Sequence, residues 1–568
     1  MKGRACRSAV FRMASFAVLL VPAAIAIAQE DDSGTSFPRS VDGWKGSVAV
    51  GDLDGDGSPE IVAGAYAFHA DGRIVAGFPV AIASTGSTSP AVADLDGDGA
   101  DEVVYAVTDP NGLESGVYAF DGRGARWPGF PVYGVVNTRS SPAIDDVNGD
   151  GVPDVVVGAT LPVAGVYAFS SLDGSALEGF PVPTGAWVYS TPALGDVDGD
   201  GVSDIVVGTR YPSGRVFAIR GDGSPVAGWP RAVASGIEAP ATLVDVDGDQ
   251  RLEVFVPSIG GWIYGFGDGA ASLDGFPLYS GGVFRTAAAA GDVGLDGEVD
   301  LCLRAENGSV TVASVSGVLR AGYPRRLFGN GAAPIVLGDV TGDGRPEAVG
   351  IASSIDPRIQ AFDLGTQSSA YGFPVRIAGA GEGVLPALVD HDGDRRLDLV
   401  VASGDVEVIS TGVPFVQDAV FWPTLGGTFD RVARYVDPRT RPMEVQVTFV
   451  PDRVNGSMRR RGFTVALEFD STAAIAGLDP ESIAITSLDG TPLPPISWDF
   501  RSRPSKRDLD KNGVKELYLK FGRDALERLL PPISSMEAGQ TRTLSIGVTG
   551  RSVGGRPFEG TGALAVFR

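Results

Sequence analysis

The chain has 568 residues, of which 43% are hydrophobic and 20% charged, with 79 glycines, 39 prolines, two cysteines and two histidines. Its formal charge of −24 argues against electrostatic attraction to nucleic acid or anionic lipid, since like charges repel. Regular apolar segments exclude an acidic disordered polymer, and the length accommodates two or more domains.

Residues 1–28 read as a secretory signal. Lys2, Arg4, Arg7 and Arg12 precede an apolar run that ends in Ala26-Ile27-Ala28, a small-x-small cleavage pattern. The run is short for a bilayer span, and no later segment approaches the ~20 apolar residues a membrane helix needs. The expected mature chain is exported to the cell surface, the exterior or the periplasm, without a membrane span. It carries a charge of −28 once those four basic residues are removed. Cys6 falls in the leader, which leaves Cys302 without a partner for an internal disulfide. In the strand-like context DLCLRA it reads as a buried structural residue.

After a linker at 29–36, one unit repeats. Aromatic-Pro steps fall at Phe37-Pro38, Phe78-Pro79, Phe130-Pro131, Phe180-Pro181, Trp229-Pro230, Phe276-Pro277, Tyr323-Pro324, Phe373-Pro374 and Trp422-Pro423, nine markers bounding eight units. Within each unit come a short Pro-Ala strand, an acidic loop, an apolar strand such as EVVYAV, and a GVYAF-like strand ending in a DG turn. Apolarity on successive positions with β-branched residues predicts a strand buried on both faces. The acidic loops recur every 42 to 52 residues, near the period of four-stranded propeller blades. A closed ring hides the edges that a linear β-solenoid leaves bare. The predicted fold is all-β: a propeller of eight blades (alternatively seven) over 37–435, then a linker at 436–442 and a C-terminal β-sandwich over 443–568.

The acidic loops carry oxygen side chains at positions 1, 3, 5 and 9. These are Asp52, Asp54, Asp56 and Glu60 in the first; Asp94, Asp96, Asp98 and Glu102 in the second; Asp146, Asn148, Asp150 and Asp154 in the third. Next come Asp196, Asp198, Asp200 and Asp204, followed by Asp245, Asp247, Asp249 and Glu253. The seventh has Asp339, Thr341, Asp343 and Glu347, and the eighth Asp390, Asp392, Asp394 and Asp398. The sixth keeps Asp292, Asp296 and Asp300 but has Gly294 at position 3. Calcium takes six to eight oxygens, and a tight loop with alternate acidic residues wraps them inward around a turn that favours Gly at position 6. The pattern predicts calcium in seven or eight of these loops. Gln250 and Arg395 stand at position 6 of the fifth and eighth loops, where backbone strain is expected. Much of the net charge thus belongs to these loops.

The units SPAVADLDGDGADEVVYA and TPALGDVDGDGVSDIVVGT resemble the FG-GAP or VCBS repeats of secreted bacterial proteins and are similar to the calcium-bearing blades of integrin alpha-chain propellers. The resemblance spans about 37–430. It implies a β-propeller with calcium in the hairpin between the first two strands of a blade, and extracellular recognition or adhesion without specifying a ligand.

Beyond VDPRTRP, the runs MEVQVTFV, FTVALEFD, SIAIT, ELYLKF, TLSIGVTG and ALAVFR predict a small β-sandwich, with one short helix near 524–530 stopped by Pro531-Pro532. Asp508, Asp510, Asn512 and Glu516 repeat the acidic spacing, which predicts a further calcium site. The region resembles β-sandwich modules that follow such repeats in secreted bacterial proteins.

No nucleophile elbow or phosphate loop appears, and His69 and His391, the only histidines, lack the further ligands of a zinc site. His391 stands at position 2 of the eighth loop, a position that faces the core or solvent. The leading expectation is a recognition or adhesion module for extracellular protein or glycan. The alternatives are a calcium-assisted polysaccharide lyase or carboxylate-dependent glycosidase, and a non-catalytic envelope or assembly protein. Ligand contacts are expected on the face opposite the acidic loops, where Trp44, Arg139, Trp187, Tyr189 and Arg285 precede the Pro-Ala strands. Packing between blades is the competing role for these residues, and it is the expected role of the aromatic-Pro steps. Arg220-Gly221-Asp222 spells an integrin-recognition tripeptide but occupies the recurrent DG turn.

Overall fold

The computed structural model describes residues 37–45, 47–82, 88–109, 111, 113–135, 139–210, 214–331, 333–352, 357–378 and 386–415, together with Ala26–Ile27 and strands between 420 and 567. Eight antiparallel blades follow one another along the chain. Their innermost strands are Ala49–Gly51, Ala91–Ala93, Ala143–Asp145, Ala193–Gly195, Thr242–Val244, Ala289–Gly291, Val336–Gly338 and Ala387–Val389. The second blade shows the plan: Ala91–Ala93, Glu102–Val107, Gly116–Phe120 and Val132–Tyr133 pair in that order, with Ala93 opposite Glu102 and Val103 opposite Phe120.

The continuous apolar runs arise because strand two lies between two neighbouring blades. Along Glu102–Val107, Val103, Tyr105 and Val107 pack with Ala49 and Val62 of blade 1. Val104 joins Ile144, Val155 and Val157 of blade 3. Side chains still alternate with period two, yet both faces meet protein, so no position selects a polar residue. The aromatic-Pro steps are structural, as expected. Phe37, Phe78, Phe130, Trp229 and Phe276 are buried, and the X-Pro bond is cis at each of the first eight markers. Cys302 is buried and unpaired.

Ring closure departs from the unit boundaries read in the sequence. Blades 2 to 7 take their fourth strand from after the next aromatic-Pro step, and blade 8 completes itself with the amino-terminal strand Arg39–Lys45, in which Arg39 pairs with Val406 and Ser40 with Asp405. Strands two and three of that blade form one hairpin folded about Gly404, whose φ is 104°. Thr411 Oγ1 donates to the Leu397 carbonyl and Phe415 N to that of Arg395 across it. Phe37, Val41, Val48 and Ile61 then share a core with Ala387, Val400 and Val406. The ninth marker is outside this scheme: Val420–Trp422 lies along the inner edge of blade 7, at Leu337 and Gly338, and Arg434–Tyr435 runs parallel to Leu243–Val244 of blade 5. Ala26–Ile27 pairs with Ile409 and Ser410, a contact that cleavage after Ala28 would remove.

A chain of hydroxyls links the first blades. Ser89 Oγ accepts the Ser47 N–H, Ser141 Oγ that of Ser89, and Thr191 Oγ1 that of Ser141, at 3.0–3.1 Å. Ser89, Ser141 and Thr191 stand immediately before Pro in the Pro-Ala strands, and Ser47 holds the same place before Val48.

Downstream, all six expected strand runs fall in two sheets. One contains Met443–Glu444, Leu478–Leu488, Thr541–Ser552 and Pro557–Phe567; the other contains Gln446–Val450, Phe463–Glu468, Ser505–Arg507 and Glu516–Phe521. Ile483, Ala484, Ile485, Ile546 and Val548 are buried. The expected helix near 524–530 lies outside the described residues. Among the described residues no helix is long and apolar enough to cross a membrane.

Candidate functional site

Each acidic loop joins strands one and two of its blade. In the second, Asp94 Oδ1 accepts the N–H groups of Gly97 (2.7 Å) and Asp98 (3.2 Å), while Oδ2 accepts that of Gly99 (2.9 Å). Asp96 accepts from Asp98, and Asp98 from Ala100. Glu102 at position 9 reaches back to the Leu95 N–H at 2.9 Å. The pattern recurs at Asp146, Asp196, Asp245 and Asp339, each receiving the backbone N–H of position 4 at 2.6–2.7 Å. These bonds curl the turn and aim the remaining oxygens at one point. Asp94, Asp96 and Glu102 each place a ligand atom within 4.8 Å of the others, as do Asp52, Asp54 and Asp56, and Asp196, Asp198 and Asp204.

The position-9 carboxylates carry the electrostatic strain. Burial first, and then the neighbouring aspartates, push Glu102 and Glu347 up to about 8 and Asp154, Asp204 and Glu253 to about 7. Asp154 Oδ1 and Asp390 Oδ1 are buried without a hydrogen-bond partner among the described residues, a costly state for a carboxylate unless a cation meets it. Converging hard oxygen donors, buried and short of positive charge, fit a divalent cation of the calcium class.

The loops are not equivalent. In the sixth, which lacks the position-3 donor, Arg320 enters instead. Its Nε donates to Asp300 Oδ1 (2.6 Å), Nη1 to Asp296 Oδ2 (2.8 Å), and Nη2 to Asp296 Oδ1 (3.3 Å). The Arg320 bonds hold Asp296 below the usual carboxylate range. The equivalent hairpin position is apolar in other blades: Val75, Trp127, Leu177, Val226, Leu273 and Ala370. This donor set does not fit the ion as the others do. The strain expected at position 6 is present, with φ of 76° at Gln250 and 64° at Arg395, and Leu295 of the sixth loop is also left-handed at 53°.

Both histidines sit closer to these loops than the sequence suggested. His391 is buried and faces neither core nor solvent alone, because its Nδ1 lies 2.7 Å from Asp398 Oδ2. Burial opposes its charge, but the bond to Asp398 wins and raises its pKa. His69 Nδ1 is 3.0 Å from Glu60 Oε1. In blade 4, Arg220 Nε donates to Asp198 Oδ2 at 2.9 Å, and a Cβ on Gly221 would stand 1.9 Å from the Val147 carbonyl oxygen. The Arg-Gly-Asp tripeptide is therefore tied into the fold. Asp508, Asp510 and Asn512 lie outside the described residues, while Glu516 begins its strand.

On the opposite face, four of the five candidate ligand residues come together. Arg139, Tyr189 and Arg285 occupy the same register, four residues before strand one, in blades 3, 4 and 6. In blade 5 that position holds Glu238, 5% exposed. Arg139 Nη1 donates to Glu238 at 3.4 Å, and Arg210 and Arg285 pair with the same carboxylate. Arg285 also pairs with Glu306. The Tyr189 ring has the guanidiniums of Arg139 and Arg210 at 5.5 and 5.4 Å from its centroid, and Trp187, 46% exposed, at 5.9 Å. Trp44 lies in the closing strand, and its side chain is outside the described residues. Arg210, Glu238 and Glu306 escaped the sequence reading. For Glu238 the shared register was the available signal.

Comparison with known proteins agrees with the repeat. Residues 146–207 and 196–256 match the FG-GAP-like repeat family and residues 46–76 the FG-GAP repeat family. No curated protein sequence matches the chain. Among solved structures it is similar to the V. cholerae biofilm matrix protein Bap1, at 13% identity and a TM-score of 0.38 over 71% of this chain and 94% of that one. BamB from Moraxella catarrhalis matches at 16% identity and a TM-score of 0.42 over 66% and 96%. The chain carries FG-GAP repeats and folds them as an eight-bladed β-propeller.

Proposed function

We propose that the chain is an exported, calcium-stabilised propeller that acts as an extracellular recognition or adhesion module without catalytic turnover. The observation that carries this reading is the division of labour between the two faces. On one, the carboxylates that a hydrolase or lyase would need are engaged in turns; on the other, arginine and aromatic side chains, the usual anchors of recognition, converge from three blades around a glutamate of a fourth. Loops one to five, seven and eight hold calcium through the residues at positions 1, 3, 5 and 9, and the ion supplies the positive charge their buried carboxylates lack. At the ~10⁻⁴–10⁻³ M affinities of extracellular modules, millimolar calcium contributes about 0.4–1.4 kcal/mol per site.

The test is to apply the full chain, in millimolar calcium, to glycan and protein arrays and to a panel of polysaccharides. Retention on an array with no release of fragments is the expected result. Release of oligosaccharides would replace this reading with a lyase or glycosidase, and silence in both assays would favour a passive assembly role.

A further inference from the structure

We propose that the arginine–aromatic cluster is a binding site for a carboxylate-bearing saccharide, whose ring lies on Trp187 and whose carboxylate is taken by Arg139 and Arg210. The proposal rests on the recognition reading and gives it a ligand class.

Charge balance comes first. Among the described residues the guanidiniums of Arg139, Arg210 and Arg285 gather around Glu238 and Glu306, on a chain of net −24. Arg304, two residues before Glu306, is committed to the fold rather than to this cluster. This side chain is buried and donates to the carbonyls of Ile351 (2.8 Å) and Gly329 (3.2 Å), with no hydrogen-bond partner for Nε among the described residues. A rim that collects positive charge in so acidic a molecule is suited to an anion.

Preorganisation follows. Glu238 is buried beneath the arginines and fixes where their forks point, so part of the entropy of ordering long side chains is met before a ligand arrives. Arg139 remains half exposed, with 52% of its side chain accessible, and Arg210 36%. Guanidinium forks of this kind bind carboxylates in a bidentate manner.

The aromatic geometry selects the rest of the ligand. Tyr189 has guanidiniums beside it, whereas Trp187 offers an exposed indole next to it. A peptide without acidic groups would be met by a free strand edge or an apolar groove, and an acidic one by the arginine forks without need of an aromatic plane. This rim instead presents one aromatic plane with charged forks alongside, which matches the CH face of a sugar ring carrying an acid group.

The experiment titrates the full chain, in calcium, with hyaluronan, alginate and polygalacturonate oligosaccharides, their carboxyl-reduced counterparts, and poly-L-glutamate. Arg139→Ala and Trp187→Ala are the variants, because both side chains are exposed enough to be removed with the melting temperature unchanged. The expected result is binding to at least one acidic oligosaccharide, weakened tenfold or more by carboxyl reduction and by either variant. Equal binding to poly-L-glutamate with no effect of Trp187→Ala would overturn the saccharide assignment in favour of an acidic protein. Array binding that ignores both variants would leave the recognition reading standing and refute this site. No binding to any array or oligosaccharide would remove both.

Discussion

The second and sixth loops solve one electrostatic problem in different ways. In the second, Asp94, Asp96 and Glu102 converge with no basic side chain bonded to them among the described residues, and Glu102 is pushed up to about 8. In the sixth, position 3 is Gly294 and the Arg320 guanidinium spans Asp296 and Asp300. On the calcium reading proposed above, the turn takes positive charge at its centre from either of two sources: an ion from the medium, or a side chain from the next hairpin.

Chelation should break this comparison most strongly. Stripping divalent ions is expected to lower the melting temperature by more than 10 °C, since several sites each worth about 1 kcal/mol are lost together. Hydrogen exchange should rise in the loops at 94–102 and 196–204 and stay unchanged at 292–300. Equal exposure of all three would remove the distinction.

Arg320→Ala should destabilise the protein by about 2–3 kcal/mol in denaturant titration, because Asp300 is left buried with its partner gone, and added calcium should not repair it. Combining it with Gly294→Asp restores the position-3 donor and should make the recovered stability calcium-dependent.

Acidity gives a smaller effect. Five of the position-9 carboxylates, Glu102, Asp154, Asp204, Glu253 and Glu347, are raised to about 7–8 in the fold from ~4 when unfolded, so the metal-free folded state holds protons more tightly. That stabilisation is complete below the unfolded value and is lost as pH climbs through 7–8. Melting curves in chelator should therefore fall from pH 6 to 8.5, and saturating calcium should flatten the slope. The smallest effects belong to Gln250→Gly and Arg395→Gly, each expected to stabilise by about 1 kcal/mol through relief of a left-handed backbone.

The eight blades were legible because each is a local pattern of marker, loop and apolar run. What stayed hidden depends on partners distant in sequence. Nothing around Arg39 announces Val406, and the choice of Arg39–Lys45 over a strand after Trp422 is made only when the ring closes. Arg320 was visible as a residue but not as a ligand, since it stands twenty positions beyond Asp300 in a hairpin register that is apolar elsewhere. His391 misled for a related reason: position 2 is apolar in the other seven loops, and only the fold shows its ring turned back on Asp398.

The amino-terminal strand that completes blade 8 has a consequence for biosynthesis. A chain made from its amino end must keep Arg39–Lys45 waiting until residues near 406 have been added, and every product stopped before then has two bare sheet edges. Incomplete molecules are thereby prone to aggregation and accessible to proteases, whereas the finished ring has no loose seam by which to be opened.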